Sequence, residues 1–65
     1  MKNRIREFRE RRDLSQDEVA RFLGVNRTAV VKWETGANKP RLDKIVELAK
    51  LFRCSVDDLL GLKSK

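Results

Sequence analysis

The spacing of apolar side chains between residues 15 and 33 predicts two short helices that meet at a tight corner. The apolar positions are Val19, Ala20, Leu23, Val25, Val30 and Trp33. They follow a helical period on each side of Gly24, so two apolar faces converge on one core with a glycine at the bend. A short bend containing glycine is typical of a helix-turn-helix, in which the second helix presents its outward side chains to a partner.

Polar residues predict where these two helices begin and end. Ser15 and Glu18 have the spacing of a capping box, which starts the first of the two helices directly after the serine. Gly24 supplies the positive φ that ends this helix, and Asn26 is a strong N-cap for the next helix, over residues 27–35. With Val30 and Trp33 inward, helical geometry places four side chains outward or on the flank: Arg27, Thr28, Val31 and Lys32.

Three more helices are predicted around this pair. Residues 1–13 form an amphipathic helix with Ile5 and Phe8 inward and a basic face that includes Lys2. After a loop over residues 35–40, a helix over residues 41–52 has a broad apolar stripe and should be the most buried. That stripe contains Leu42, Ile45, Val46, Leu48, Ala49 and Phe52. Ser55 and Asp58 repeat the capping-box spacing and open a short last helix.

The pattern therefore predicts an all-α fold, a compact five-helix bundle that contains a helix-turn-helix. We expect one domain over residues 1–65, with its core over about residues 3–60 and a short polar tail. At 65 residues the chain is near the lower limit for folding without disulfides or metals, so nearly every apolar side chain should be needed.

Charge indicates the class of partner but does not decide it. The net charge of +6 and the pI of about 10.1 favour a polyanion, either nucleic acid or an anionic membrane surface. With 40% of residues charged, a solvated surface with helical ion pairs is an equally reasonable interpretation of the charge alone.

Several classes of site and location are disfavoured by composition. One cysteine and no histidine exclude an intrachain disulfide, make a zinc site implausible and leave no base to activate a nucleophile. We therefore expect no enzyme, no catalytic or metal-binding residue and no cofactor, and we interpret Cys54 as a small buried hydrophobe. No stretch is apolar enough to cross a membrane or serve as a signal peptide, so we expect a soluble cytoplasmic protein.

Several motifs together resemble the lambda-repressor-like helix-turn-helix family, of the phage repressor, Cro and XRE type. The motifs are LSQDEVA at residues 14–20, LGVNRTAV at 23–30, KWExG at 32–36, KPRL at 39–42 and LAKLFxxSVDDLL at 48–60. The resemblance covers about residues 3–60 and includes both residue identity and spacing. It implies a five-helix bundle whose second and third helices bind double-stranded DNA.

The resemblance also implies which side chains face DNA bases. Arg27, Thr28 and Lys32 match positions that face base edges in the major groove. Arg27 and Lys32 are suited to donate to guanine, and the Thr28 methyl group is suited to meet a thymine methyl. Val31 stands where the family usually has a polar residue, so it either contacts a thymine methyl or is tolerated apolar surface. For Arg27 and Lys32 the alternative is contact with phosphate alone.

Five residues match phosphate-binding positions, with an ordinary solvated surface as their alternative. They are Gln16, Asn26, Asn38, Lys39 and Arg41. Gln16 matches a glutamine that also braces the recognition helix, and capping alone would account for Asn26. Arg9 and Glu34 match a partly buried ion pair that joins the first helix to the end of the recognition helix, which is a structural role. Trp33 is interpreted as core because of its spacing with Val30.

Four further departures from the family pattern are informative. Arg41 replaces the usual Ser or Thr cap of the fourth helix, and Arg53 occupies a site where positive φ is expected. Cys54 takes a core valine position. Phe22 falls on the outer side of the second helix, where it packs against arginine stems or against a partner.

The function we predict is a sequence-specific transcriptional regulator of the prokaryotic or phage repressor type. The family usually binds a palindromic operator as a homodimer, with recognition helices about 34 Å apart. Two dimer surfaces are candidates: the last helix and tail with Leu59, Leu60 and Leu62, and the loop over residues 36–40. The alternative is an antitoxin or another protein-binding module with the same fold. A protein partner, such as a toxin or polymerase, is therefore possible in addition to DNA.

Overall fold

The computed structural model describes residues 4–62, which form five α-helices and no strand. The helices are α1 (Ile5–Arg11), α2 (Gln16–Leu23), α3 (Arg27–Thr35), α4 (Leu42–Phe52) and α5 (Val56–Leu60). The predicted all-α, five-helix fold is confirmed. The predicted first helix is longer than α1: residues 1–3, with Lys2, lie outside the described residues, and the helix ends at Arg11 rather than at residue 13.

Side chains from all five helices form the hydrophobic core. The fully or almost fully buried members are Ile5, Val19, Ala20, Leu23, Val30, Trp33, Leu48, Ala49, Phe52 and Leu59. Half-buried residues, among them Phe8, Leu14, Val25 and Ile45, pack against this cluster. Each buried large aliphatic or aromatic side chain contributes roughly 1.5–3 kcal/mol. Helix α2 packs mainly on α3, so the predicted helix-turn-helix is one packed unit.

Three helices begin at the caps that the sequence predicts. The Ser15 hydroxyl accepts a hydrogen bond from the Glu18 N–H at 3.0 Å, and the Ser15 N–H donates to the Glu18 carboxylate at 2.8 Å. Ser55 and Asp58 form the same reciprocal pair at the start of α5. The Asn26 side-chain oxygen accepts from the Ala29 N–H at 3.0 Å and so starts α3. These caps satisfy N–H groups that have no partner inside the helix.

The broad apolar stripe predicted for α4 is wrong at two positions. Leu42 is 72% exposed and Val46 is 36% exposed. Helix α4 packs on α1, α2 and α5 along a narrower stripe of Ile45, Leu48, Ala49 and Phe52. Val46 lies about 160° around the helix from Leu48, so one stripe does not bury both. The helix also begins at Leu42, because Arg41 is its N-cap residue and provides no side-chain cap.

The two ends of the folded unit are held together. The Arg4 N–H donates to the Leu59 carbonyl at 3.0 Å, which joins the start of α1 to α5. Helix α5 packs mainly on α1 and α4. Within residues 4–62, no helix is both long enough and apolar enough to cross a membrane.

Positive φ angles mark the chain reversals, and one of them falls on the arginine that the sequence singles out. Gly24, which ends α2, has φ 72°, a conformation that glycine adopts without steric cost. Arg53, which ends α4, has φ 57° and ψ 49°, the left-handed conformation expected for this site. Because Arg53 has a β-carbon, this conformation costs about 1 kcal/mol or more relative to glycine.

We expect Arg53→Gly to raise the free energy of unfolding by about 0.5 to 1 kcal/mol, because the strain is removed while the unfolded chain gains some freedom. Urea-induced unfolding measures this change. Arg53→Ala is the matched control: it removes the same charge but keeps the β-carbon, so it should give no comparable gain. Equal gains for both variants would mean that the charge, not the backbone, is the source of the instability.

Candidate nucleic-acid interface

The outward side of α3 combines cationic, hydroxyl and aliphatic groups. Arg27, Thr28 and Lys32 are exposed, and Val31 is half-buried between them. These four residues, here called the α3 face, span about 140° of the helix at 100° per residue. Val30 and Trp33 are buried on the opposite side, at 0% and 6% exposure, so the indole ring belongs to the core and is not available to stack on a base.

The loop after α3 lies beside this face. The Asn38 N–H donates to the Lys32 carbonyl at 3.2 Å, which folds the loop back onto the last turn of α3. Pro40 is buried, whereas Asn38, Lys39 and Arg41 are exposed. The buried proline thus anchors a loop whose polar side chains extend into solvent near Lys32.

The amide side chains of Asn26 and Gln16 each make one hydrogen bond within the protein and keep at least one N–H donor unused. The Asn26 Oδ1 is used by the cap of α3, so both hydrogens of its Nδ2 remain available. The half-buried Gln16 donates from Nε2 to the Glu34 carboxylate at 3.1 Å. That nitrogen carries a second hydrogen, which the bond to Glu34 does not use. Both residues therefore combine a structural contact with a free donor.

Arg9 and Glu34 form the ion pair implied by the resemblance, and it ties α1 to α3. Arg9 Nε lies 2.6 Å from Glu34 Oε2, and the two side chains are only 11% and 5% exposed. Arg9 Nη1 also donates to the Leu14 carbonyl at 2.7 Å, in the segment before α2. With Gln16 added, one carboxylate at the end of α3 links three helices.

Much of the positive charge on α1 is neutralised locally. Glu7 accepts hydrogen bonds from Arg4 at 2.8 Å and from Arg11 at 2.8 Å. The bond from Arg4 lowers the pKa of the Glu7 carboxyl below its usual value, and the charge of Arg11 acts in the same direction. Both guanidinium groups also lie against the Phe8 ring, at 4.9 and 4.8 Å from its centroid. Further exposed pairs join Arg6 to Glu10 and Arg21 to Asp17.

The cations that remain concentrate near α3. Within residues 4–62, six basic side chains have neither an ion pair nor a hydrogen bond: Arg27, Lys32, Lys39, Arg41, Lys50 and Arg53. Four of the six belong to the α3 face and the loop that follows it. Among the described helices, α3 alone has no acidic residue in its first turn. Its positive N-terminal end is therefore uncompensated and favours an anionic partner.

Two polar contacts were not anticipated from the sequence. Lys44 Nζ donates to the Leu23 carbonyl at 2.8 Å, and Arg12 Nε donates to the Phe52 carbonyl at 3.0 Å. Lys44 thus caps the C-terminal end of α2, and Arg12 caps that of α4. The last carbonyl groups of a helix have no partner within the helix, so a cation is favoured there. A signal for Lys44 was available, because it flanks the stripe of α4 next to Leu48. No local signal indicated Arg12.

Two expectations for apolar and reactive residues are revised. Leu59 is completely buried, so it belongs to the core and not to a dimer surface, because its side chain has no area left for a partner. Leu60 is half-buried, whereas Leu62 and Phe22 are exposed at 62% and 64%. Cys54 is half-buried instead of fully buried, and burial raises the pKa of its thiol. Within the described part of the chain, no three Cys, Asp or Glu side chains are grouped to hold a metal.

A model of the helix-turn-helix family matches residues 5–59. The chain belongs to this family. It is 37% identical over 59 residues to an HTH-type transcriptional regulator of Archaeoglobus fulgidus, covering 91% of this chain and 84% of that protein. It is 34% identical to the phage CTXphi transcriptional repressor RstR of Vibrio cholerae, covering 91% of this chain and 53% of RstR. The fold matches a crystal structure of the P22 c2 repressor in complex with a synthetic operator, with a TM-score of 0.84, 30% identity and coverage of 92% and 91% of the two chains.

These similarities confirm the resemblance to the lambda-repressor-like family. Some relatives of this helix-turn-helix chain are considerably longer: it spans 53% of the length of RstR and 28% of the length of the transcriptional activator BcrR of Enterococcus faecalis. The shared part is the five-helix unit that carries the α3 face. The named relatives are regulators of transcription and include both a repressor and an activator.

We expect Arg9→Met to lower the free energy of unfolding by about 3 kcal/mol, because it leaves the Glu34 carboxylate buried without its cation. Denaturant unfolding of Arg9→Met, Glu34→Met and the double variant measures the coupling, and the double variant should be less destabilised than the sum of the two single variants. Arg6→Met is the control, since it breaks an exposed pair on the same helix and should cost at most about 0.5 kcal/mol. Additive effects at Arg9 and Glu34 would contradict a coupled pair.

Proposed function

We propose that this chain is a sequence-specific transcriptional regulator that binds double-stranded DNA by placing α3 in the major groove. The observation that carries this proposal is the distribution of charge within residues 4–62. Most cations away from α3 there have an ion pair or a hydrogen bond, whereas those on the α3 face and after it, up to Arg41, have neither. A helix end without acidic residues and with free arginine and lysine side chains matches the polyanionic surface of a duplex. The fold shared with an operator-bound repressor supports the same function.

The α3 face has the chemistry to distinguish base pairs. Arg27, in the first turn, is suited to a bidentate contact with guanine O6 and N7, and Lys32, one turn later, is suited to donate to guanine. The Thr28 methyl group suits a thymine methyl. Val31 is half-buried between these residues, so a thymine methyl beside it would meet apolar surface rather than water. We infer that Arg27, Thr28, Val31 and Lys32 read the bases.

Phosphate contacts would position the duplex on both sides of α3. Asn38 and Lys39, in the loop that folds back on Lys32, and Arg41, which follows this loop, are exposed and supply donors to one stretch of backbone. The free amide hydrogens of Asn26 and Gln16 supply donors at the start of α3 and of α2. Such contacts fix register without reading sequence, and the cationic ones make affinity depend on salt.

The regulator would act as a homodimer on a palindromic operator. A two-fold pair of α3 helices reads two half-sites about one turn of DNA apart. With Leu59 in the core, the exposed Leu62, the half-buried Leu60 and the loop over residues 36–40 remain as the contacting groups. Regulation at the operator would follow from blocking or recruiting polymerase.

A second candidate is a protein-binding module, such as an antitoxin. The exposed Phe22, on α2, favours it, since a single aromatic side chain at 64% exposure can insert into a partner's apolar pocket. This role is compatible with DNA binding, because Phe22 is not part of the α3 face.

Selection of bound duplexes from a random DNA pool tests the proposed function. We expect one enriched motif with two inverted half-sites, because a two-fold dimer presents the same α3 face twice. A motif without inverted symmetry would exclude the symmetric dimer, and the absence of any enriched motif would exclude sequence-specific binding.

On the selected operator, we expect Arg27→Ala combined with Lys32→Ala to weaken binding by at least about thirtyfold, since each base contact contributes roughly 1–3 kcal/mol. Fluorescence anisotropy with labelled operator measures the dissociation constant, and circular dichroism verifies the fold. Arg6→Ala combined with Lys50→Ala removes the same charge away from α3 and should weaken binding far less. If both double variants lose affinity equally, bulk charge rather than the α3 face governs binding.

Lys39→Ala should weaken binding to all sequences by a similar factor and make the slope of log affinity against log salt shallower by about one unit, because one phosphate contact is lost. Titrations at several salt concentrations with operator and with unrelated DNA measure both effects. Lys50→Ala removes an exposed lysine from α4 and should leave the slope unchanged. A loss confined to the operator would instead assign Lys39 to base recognition.

A further inference from the structure

Lys44 makes a contact that crosses from α4 to the end of α2. Its Nζ lies 2.8 Å from the Leu23 carbonyl oxygen, and its side chain is 26% exposed. Glu47, one turn along α4, forms an ion pair with the same ammonium group at 3.7 Å. A charge-assisted hydrogen bond in a partly buried position is stronger than one at an open surface. Lys44 thus joins two segments that are 21 residues apart.

The carbonyl that Lys44 binds belongs to the turn of the helix-turn-helix. At the end of α2, the Ala20 carbonyl accepts from the Val25 N–H at 3.0 Å and the Arg21 carbonyl accepts from the Gly24 N–H at 3.3 Å. The Leu23 carbonyl belongs to the same peptide group as the Gly24 N–H, directly before the positive φ of Gly24. Its oxygen also lies at the negative end of the α2 dipole, where a cation is favoured. The ammonium therefore holds the peptide plane from which the chain turns towards α3.

The packing of the helices makes this contact more than a local cap. Helix α4 packs mainly on α1, α2 and α5, whereas α3 packs mainly on α1 and α2. Outside the connecting loop, the orientation of α3 relative to the start of α4 is therefore transmitted mainly through α2. Arg41 is the N-cap residue of α4, three positions before Lys44. The contact links the segment that carries Arg41 to the turn that directs the α3 face.

We propose that Lys44 is a positioning residue that sets the distance between the base-reading side chains of α3 and the phosphate-binding side chains of the loop. This inference rests on the proposed DNA binding. Loss of the ammonium group frees the Leu23–Gly24 peptide, so α3 and the start of α4 no longer engage one duplex in a single fixed geometry. Binding that requires both sets of contacts is then weakened more than binding through phosphates alone.

The first test needs no DNA and measures hydrogen exchange at the turn. Lys44→Met retains most of the aliphatic stem and removes the ammonium, and we expect the Gly24 and Val25 amides to exchange about tenfold faster, because they lie in the turn that opens. Lys50→Met removes the same charge from the exposed side of α4 and should leave these amides unchanged. Lys44→Arg keeps a cationic donor and should restore much of the protection. Unchanged exchange in Lys44→Met overturns the proposal.

The second test compares selected operator with unrelated DNA for the same variants, well below their unfolding temperatures. We expect Lys44→Met to reduce the ratio of operator affinity to non-specific affinity about fivefold or more, a scale set by the loss of one charged hydrogen bond. Lys50→Met should change this ratio less than twofold. An equal ratio in both variants, even with faster exchange at the turn, overturns the positioning role. If the unmodified chain prefers no sequence, the proposed function fails, and the exchange experiment alone shows whether Lys44 holds the turn.

Discussion

The arrangement of the helices depends on the contacts of the Glu34 carboxylate with Arg9 and Gln16. The Glu34 side chain is 5% exposed, so its charge is stable there only with strong donors close by. Arg9 from α1 and Gln16 from α2 supply them. Because Glu34 lies near the end of α3, one anion fixes the angle between three helices. A buried pair of this kind contributes more to a defined orientation than to net stability. The proposed reading of bases by α3 would depend on that orientation.

Charge has two separate uses in this small fold. On α1, Glu7 and Glu10 hold arginines close to the helix, and Phe8 provides an apolar surface for two of them. Around α3 there are no acidic side chains in the first turn, and the basic side chains there are free. The net charge of +6 alone does not distinguish these two uses. Only the location of the acidic partners shows which basic side chains are left unpaired.

Most of the fold could be predicted from residues close together in the sequence. Contacts between residues far apart in the sequence could not. Ser15, Asn26 and Ser55 cap helices through neighbours three residues away, so the sequence contains both partners of each cap. The α3 face followed from the spacing of Val30 and Trp33. The contacts of Lys44 and Arg12 join segments 21 and 40 residues apart. The position of Lys44 beside the α4 stripe marks the residue but not its distant partner, and no spacing indicates Arg12. Leu42 and Val46 were assigned to the core because hydrophobicity alone does not show which side of α4 its neighbours cover. Arg9 and Glu34 were paired through the family resemblance, not through the residues themselves.

The hydrogen bond between the Arg4 N–H and the Leu59 carbonyl has a consequence for larger architectures. It joins the start of α1 to α5, which packs mainly on α1 and α4. The described residues at the two ends, Arg4 and Leu62, thus both lie close to the contact between α1 and α5. A second domain joined before Arg4 or after Leu62 would therefore be attached at nearly the same place. Its distance from the α3 face would depend on the length of the linker more than on the terminus chosen.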